Sequence, residues 1–163
     1  MRKIDMIVVH CSGSRCNHPY TVEQLRHDHV EVNGWFDIGY HYYITRDGKV
    51  HECRPVERMG AHARGANANS IGICYEGGLD ARGCIADTRT AAQKDAMFWL
   101  IINLHHRFPD IKVILGHRDL PGIQIPLSHH YKDYNLGAGD SISPEHKEVR
   151  SLFDDGLQIR RNA

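Results

Sequence analysis

The chain has 163 residues, a one-domain length with enough chain to bury a real core. Lys+Arg and Asp+Glu both total 20, so the formal net charge is zero; that excludes a strongly basic nucleic-acid module and argues against electrostatic docking on anionic membranes. Hydrophobic residues at 41% and charged residues at 25% are the proportions of an ordinary folded domain, far from a disordered one.

The outlier is histidine, at 13 residues, which raises the prior for a metal site without locating one. Five cysteines (Cys11, Cys16, Cys53, Cys74, Cys84) are an odd number with no CxxC pair, as expected of free thiols. No stretch approaches the ~20 apolar residues of a membrane span, and the start, Met1-Arg2-Lys3-Ile4-Asp5, is followed by too short an apolar run for a signal peptide. Cytoplasmic synthesis is the expectation, with release by cell lysis or another signal-independent route as the alternative to retention. A monomer is expected.

Residues 6–9 (Met-Ile-Val-Val) form a short apolar run, as in a strand buried on both faces, and it ends at His10-Cys11-Ser12-Gly13. Thr21 and Gln24 make a capping box that opens a helix with Val22, Leu25, His29 and Val32 on one face, stopped at Asn33-Gly34. Residues 38–45 and 50–53 read as strands joined at Asp47-Gly48, a turn needing positive φ. Residues 60–70 are small and polar, hence loop. Residues 70–75 read as a further strand closed by Gly77-Gly78. Thr90 and Gln93 cap a long helix carrying Met97, Leu100, Ile101, Leu104 and Phe108, which Pro109 ends. Residues 113–115 are a second short buried strand, followed at once by Gly116-His117-Arg118-Asp119. A modest helix is expected from Ser143 to about Phe153. The expected fold is a single α/β domain over 1–163: a central mixed sheet of about five strands flanked by helices.

Two buried strands each end in a histidine, His10 and His117. Parallel neighbouring strands would bring both imidazoles to one edge of the sheet, where ligand sites concentrate.

The segments His10-Cys11-Ser12, Gly34-Trp35, Ile38-Gly39-Tyr40-His41-Tyr42, Arg46-Asp47-Gly48, Gly60-Ala61-His62, Asn69-Ser70-Ile71-Gly72-Ile73, Gly77-Gly78 and Gly116-His117-Arg118-Asp119 occur in that order between residues 4 and 122. Taken together, the set resembles the zinc-dependent N-acetylmuramoyl-L-alanine amidases (type 2 amidases), a group that includes phage lysozymes of the amidase kind and peptidoglycan recognition proteins. The resemblance implies an amidase-like fold with Zn2+ in a surface groove. It also implies cleavage of the amide joining N-acetylmuramic acid to L-alanine in peptidoglycan or muropeptides. His10 and His117 match two metal ligands, and Tyr40 matches a tyrosine that assists catalysis beside the metal.

The family's third ligand stands in a Lys-x-Cys-Pro or Lys-x-Asp-Pro motif whose lysine aids catalysis. Residues 123–163 diverge: that motif is absent, and no cysteine follows Cys84. Asp133, His130 and His129 are the substitutes for the ligand, and Lys132 stands in for the lysine. A replaced or altered end beyond Gly122 is the other reading of this break. The alternative function is therefore an impaired amidase scaffold that binds peptidoglycan without cutting it.

Zinc with three protein ligands and an open position lowers the pKa of bound water toward neutrality and polarises a carbonyl. Tyr40 is placed to donate a hydrogen bond to the oxyanion, or else is a core tyrosine. His62 and Asn69 are the expected substrate contacts, with a structural hydrogen bond the other reading for His62 and loop shaping the other reading for Asn67 and Asn69. His29 is expected to be packed, His41 to face away from Tyr40 across the strand, His105 and His106 to serve the helix dipole, and His18, His27, His51 and His146 to be surface residues. A Cys11–His10 nucleophile pair is geometrically poor, because adjacent residues on a strand face opposite ways.

Overall fold

The structure, a computed structural model, describes residues 2–120 and the strand Gln158–Ile159. Its elements in chain order are β1 (Met6–Cys11), β2 (Ser14–Arg15), α1 (Val22–His27) continued by a π-helical turn (Asp28–Val32), β3 (Tyr42–Ile44), β4 (Val50–Glu52), β5 (Ser70–Tyr75), β6 (Gly78–Leu79), α2 (Ala91–Arg107), β7 (Val113–Gly116), a 3-10 turn (His117–Asp119) and β8 (Gln158–Ile159). The main sheet runs β4-β3-β5-β1-β7-β8, and β2 pairs with β6 in a small second sheet. All pairings in the main sheet are parallel except β3 with β4. The mixed sheet thus has six strands where the sequence predicts about five. The expected helix from Ser143 lies outside the described residues.

β1 occupies the centre because its residues 7–9 are apolar and can be buried on both faces of the sheet. Alternation then sorts its side chains. Ile7 and Val9 join Ile71, Ile73, Tyr75, Met97, Leu104 and Ile114 in the core beneath α2, where a fully buried isoleucine contributes about 2 kcal/mol. Val8 faces the other way, into a smaller cluster with Ala63, Ala66, Leu115 and Leu120. On that same side α1 covers the sheet through Leu25, Ile38, Tyr43 and Cys74, with Val22 and Tyr40 packed against them. Between these two patches the β1 side chain on the open face is His10.

Both capping boxes form as predicted, and Gly48 adopts positive φ (82°) in the β3–β4 turn. Two local expectations change. The helix from Thr21 widens into a π turn, with Asn33 N–H bonded to Asp28 C=O. Widening rotates the later residues off the 3.6-residue stripe, so Val32 is 67% exposed instead of packed with Leu25. The strand expected over 38–45 is regular only at Tyr42–Ile44, so Tyr40 and His41 precede it.

Gln93 does more than cap α2. Its Oε1 accepts from Thr90 N–H at 3.0 Å, while its Nε2 donates to the carbonyls of Ile44 (3.1 Å) and Glu76 (2.9 Å) at the carboxyl ends of β3 and β5. The side chain is fully buried and ties the helix start to the sheet. Gln93→Leu removes these buried bonds and is expected to lower stability by about 2 kcal/mol, read as a lower urea midpoint at unchanged slope. A midpoint equal to that of the wild type would contradict this role.

Candidate active site

Parallel pairing of β1 with β7 sets Val9 opposite Gly116. His10, the next residue of β1, and His117, the first beyond β7, therefore leave the sheet side by side. Their ring centroids are 4.7 Å apart. Tyr40 stands 5.0 Å from His10 and His62 another 5.0 Å from it, the latter edge-on. Four residues singled out from the sequence (His10, Tyr40, His62 and His117) thus meet on the sheet face opposite α2.

Each is held by a specific local arrangement. The loop 60–69 carries His62 inward because Asn67 Oδ1 accepts from the backbone N–H of both His62 (2.9 Å) and Ala63 (2.8 Å). Gly60 and Gly72 make the seat: a Cβ on Gly72 would meet the His62 ring at 2.5 Å, and one on Gly60 would meet it at the same distance. Beyond this seat His62 Nδ1 lies 3.0 Å from His10 Nε2, and its Nε2 lies 3.4 Å from Ser70 Oγ. Tyr40 enters beside the same loop through the Ala61 N–H to Gly39 C=O bond of 2.9 Å.

Arg2 is the residue the sequence did not mark. Its guanidinium donates to the carbonyls of Val56 (2.7 Å), Asn67 (3.2 Å), Ala68 (3.3 Å) and Ser70 (2.8 Å), and reaches 3.0 Å from His41 Nε2. It clamps the His62 loop to the start of β5. Nothing in local patterning distinguishes such an arginine from a solvated one, because its acceptors are carbonyls more than fifty residues away.

Asn69 is not brought to the cluster. Its Nδ2 donates to Asp5 Oδ1 at 2.7 Å, at the amino end of the strands, whereas His10 is near the carboxyl end of β1. That bond supports the loop-shaping reading of Asn69, as the bonds to His62 and Ala63 do for Asn67. His41 was expected to face away from Tyr40. Each of the two rings touches His62, at 5.6 Å for His41 and 6.4 Å for Tyr40. His41 makes its hydrogen bonds behind the cluster, accepting from Gly72 N–H at Nδ1 (2.9 Å) and contacting Arg58 C=O from Nε2 (3.1 Å). His29 is packed as expected, against Trp35 and Tyr40, with Nδ1 accepting from Gly39 N–H. Cys11 packs against the core cluster beneath α2. Lys132, Asp133, His129, His130 and His146 lie outside the described residues.

The electrostatics are those of a cluster of neutral rings. Burial first, then the neighbouring His62 and His117, holds His10 well below the usual histidine range. Burial, followed by His41 and His117, brings His62 down to about 3, and burial alone lowers His117. At neutral pH the imidazoles therefore keep lone pairs available to an electrophile. Burial pushes Tyr40 well above the ordinary phenol value, so it remains an O–H donor. Among the described residues no group of three or more His, Cys, Asp or Glu side chains able to hold a metal ion is present.

The N-acetylmuramoyl-L-alanine amidase family matches residues 1–132. The chain belongs to that family. The endolysin of Klebsiella phage KP32 is 35% identical over 119 residues, covering 73% of this chain and 78% of that protein. Peptidoglycan recognition protein 1 of Bos indicus is 33% identical over 132 residues, covering 78% of this chain and 68% of that one. Among solved structures, the endolysin and N-acetylmuramoyl-L-alanine amidase LysCS from Clostridium intestinale superposes with a TM-score of 0.63 at 30% identity, covering 75% of this chain and 74% of its own. An enzyme of the amidase type, on an amidase and peptidoglycan-recognition fold, is what these relationships and the architecture support together. Among the described residues no helix is long and apolar enough to cross a membrane.

The neutral state of His41 has a measurable consequence. Burial lowers its pKa from 6.5 to about 4, so between those values the unfolded chain binds more protons than the folded one, and stability rises with pH. Its contribution is complete above pH 6.5 and is lost as pH falls toward 4. His41→Asn keeps an acceptor for Gly72 N–H without the titration. Its Tm is expected to fall less steeply than that of the wild type between pH 6.5 and 4; parallel curves would contradict the assignment.

Proposed function

We propose that the chain is a zinc-dependent N-acetylmuramoyl-L-alanine amidase acting on peptidoglycan or its muropeptide fragments, with His10 and His117 as metal ligands and Tyr40 as oxyanion donor. The observation that carries this reading is the pair of neutral imidazoles set 4.7 Å apart by the β1–β7 pairing, with a protonated phenol beside them. Their chemistry fits zinc: two nitrogen donors kept unprotonated by burial. The third ligand falls to the segment beyond residue 120, where Asp133, His130 and His129 are the candidates and Lys132 the candidate catalytic lysine.

When bound, zinc supplies Lewis-acid polarisation of the scissile carbonyl and an acidified water. The chain's own contributions follow from the geometry. His10 and His117 offer lone pairs without first losing protons. Tyr40 keeps its proton at neutral pH and can aim it at an oxygen on which negative charge develops. The packed walls of Val8, Ala63 and Leu115 on one side and Tyr43 and Ile38 on the other limit water near the cluster and strengthen these interactions. Release of the chain by cell lysis fits an enzyme whose substrate lies outside the cell membrane.

A second reading is favoured by one observation. Because the Lys-x-Cys-Pro or Lys-x-Asp-Pro motif is absent after Gly122, the chain could bind peptidoglycan on an amidase scaffold without cutting it. Metal content by plasma emission, together with peptide release from muropeptides, separates the two. The proposal expects one zinc per chain and release of stem peptide. Pull-down on insoluble cell wall with no release from any muropeptide would contradict it and support the binding module. For Tyr40→Phe the expectation is unchanged zinc content, a similar KM and kcat lower by about 100-fold; full activity would remove Tyr40 from the mechanism.

A further inference from the structure

His62 and Ser70 carry neither of the proposed catalytic roles, yet both are buried: His62 ends on His10, and Ser70 ends on His62. The direction of the hydrogen bonds between them can be worked out from one end. Ser70 Oγ lies 2.6 Å from the carbonyl oxygen of Ala66, which can only accept, so the hydroxyl proton is committed to it. Ser70 Oγ is then an acceptor toward His62 Nε2 at 3.4 Å. With its one proton on Nε2, neutral His62 presents an acceptor at Nδ1. The 3.0 Å contact with His10 Nε2 therefore requires the proton on His10 Nε2. His10 is left with its lone pair on Nδ1.

We propose that Ser70 and His62 form a tautomer-setting relay, anchored on the Ala66 carbonyl, that fixes His10 as the Nε2–H form and so directs its Nδ1 lone pair to the metal. His62 is a positioning residue. This inference rests on the reading of His10 as a ligand, but the relay itself exists without metal. A second partner fixing tautomer and ring orientation is what metal-bound histidines generally require, and here that partner is another histidine, in place of the commoner carboxylate or backbone carbonyl.

The fold invests several separate devices in placing this one ring. Glycines at 60 and 72 leave room for it, Asn67 turns the loop beneath it, and Arg2 holds the carbonyls on either side of that turn. His41 closes the back, its Nδ1 accepting from Gly72 N–H and its Nε2 lying against Arg2 and the Arg58 carbonyl. Gly72 thus contacts both rings. A ring needed only to line a groove would not require its proton direction to be determined from a buried serine.

Long-range proton–nitrogen spectra of the metal-free wild-type protein, labelled at histidine, test the relay directly. The expected result is a pyrrole-type Nε2 and a pyridine-type Nδ1 on both His10 and His62. His10 protonated on Nδ1 would overturn the proposal. Ser70→Ala, a small change at a buried position, is expected to produce mixed tautomers at His62 and His10 while the fold is retained; unchanged spectra would overturn the serine's part. For zinc, His62→Leu is expected to weaken binding by about 10- to 100-fold, whereas His62→Asn, which keeps an acceptor near the place of Nδ1, recovers most of it. Equal zinc affinity in His62→Leu and wild type would overturn the positioning role. Relay tautomers in a wild-type protein that takes up no zinc would support the relay and remove the metal reading of the site.

Discussion

Everything proposed for the site depends on the placement of β1 between β5 and β7 in parallel register. That register sets Val9 against Gly116 on one side and His10 against Cys74 on the other. It makes the last buried residues of two distant segments neighbours across a single strand spacing. Parallel pairing demands a crossover, and α2 provides it by carrying the chain from β5 across β1 to β7 on one face. The opposite face is left for shorter, irregular cover by α1 and the loop 60–69. Sites in parallel sheets gather where strands end and crossovers diverge, and here the divergence falls at His10.

A slip of one residue in β1 would exchange Val9 and His10 between the two faces. His10 would then enter the core beneath α2 among Ile73 and Ile114, and no imidazole would face His117. The register is held by the alternation itself, with Ile7 and Val9 filling the α2 side and Val8 the other, and by Asn69 gripping Asp5 at the strand's start. The arrangement of these rings therefore rests on ordinary core packing. Arg2, Asn67 and the two glycines refine it by aiming one further ring.

The backbone of this account was legible from residue pattern alone wherever a local rule applied. Capping boxes at Thr21 and Thr90 marked helix starts because a side chain three residues on reciprocates the bond, and Asp47-Gly48 marked a turn because few residues accept its φ. Pairing of His10 with His117 was legible because both follow short apolar runs. What stayed hidden depends on distant partners. Arg2 finds its acceptors near residues 56–70, and Ser70 matters through Ala66 and His62. The π turn after α1 keeps a helical pattern while shifting its phase, so Val32 looked packed. Asn69 looked like a groove residue by its neighbours in the motif, although its amide reaches the far end of the strands.

The central claim is that His10 and His117 jointly bind one metal ion while His62 supports them from behind. Its most direct test is a spectrum of protein labelled with nitrogen-15 at histidine and loaded with cadmium-113 in place of zinc. Scalar coupling between the metal and one ring nitrogen each of His10 and His117, with none to His62, is the predicted result. Coupling to His62, or coupling that omits either His10 or His117, would contradict the account.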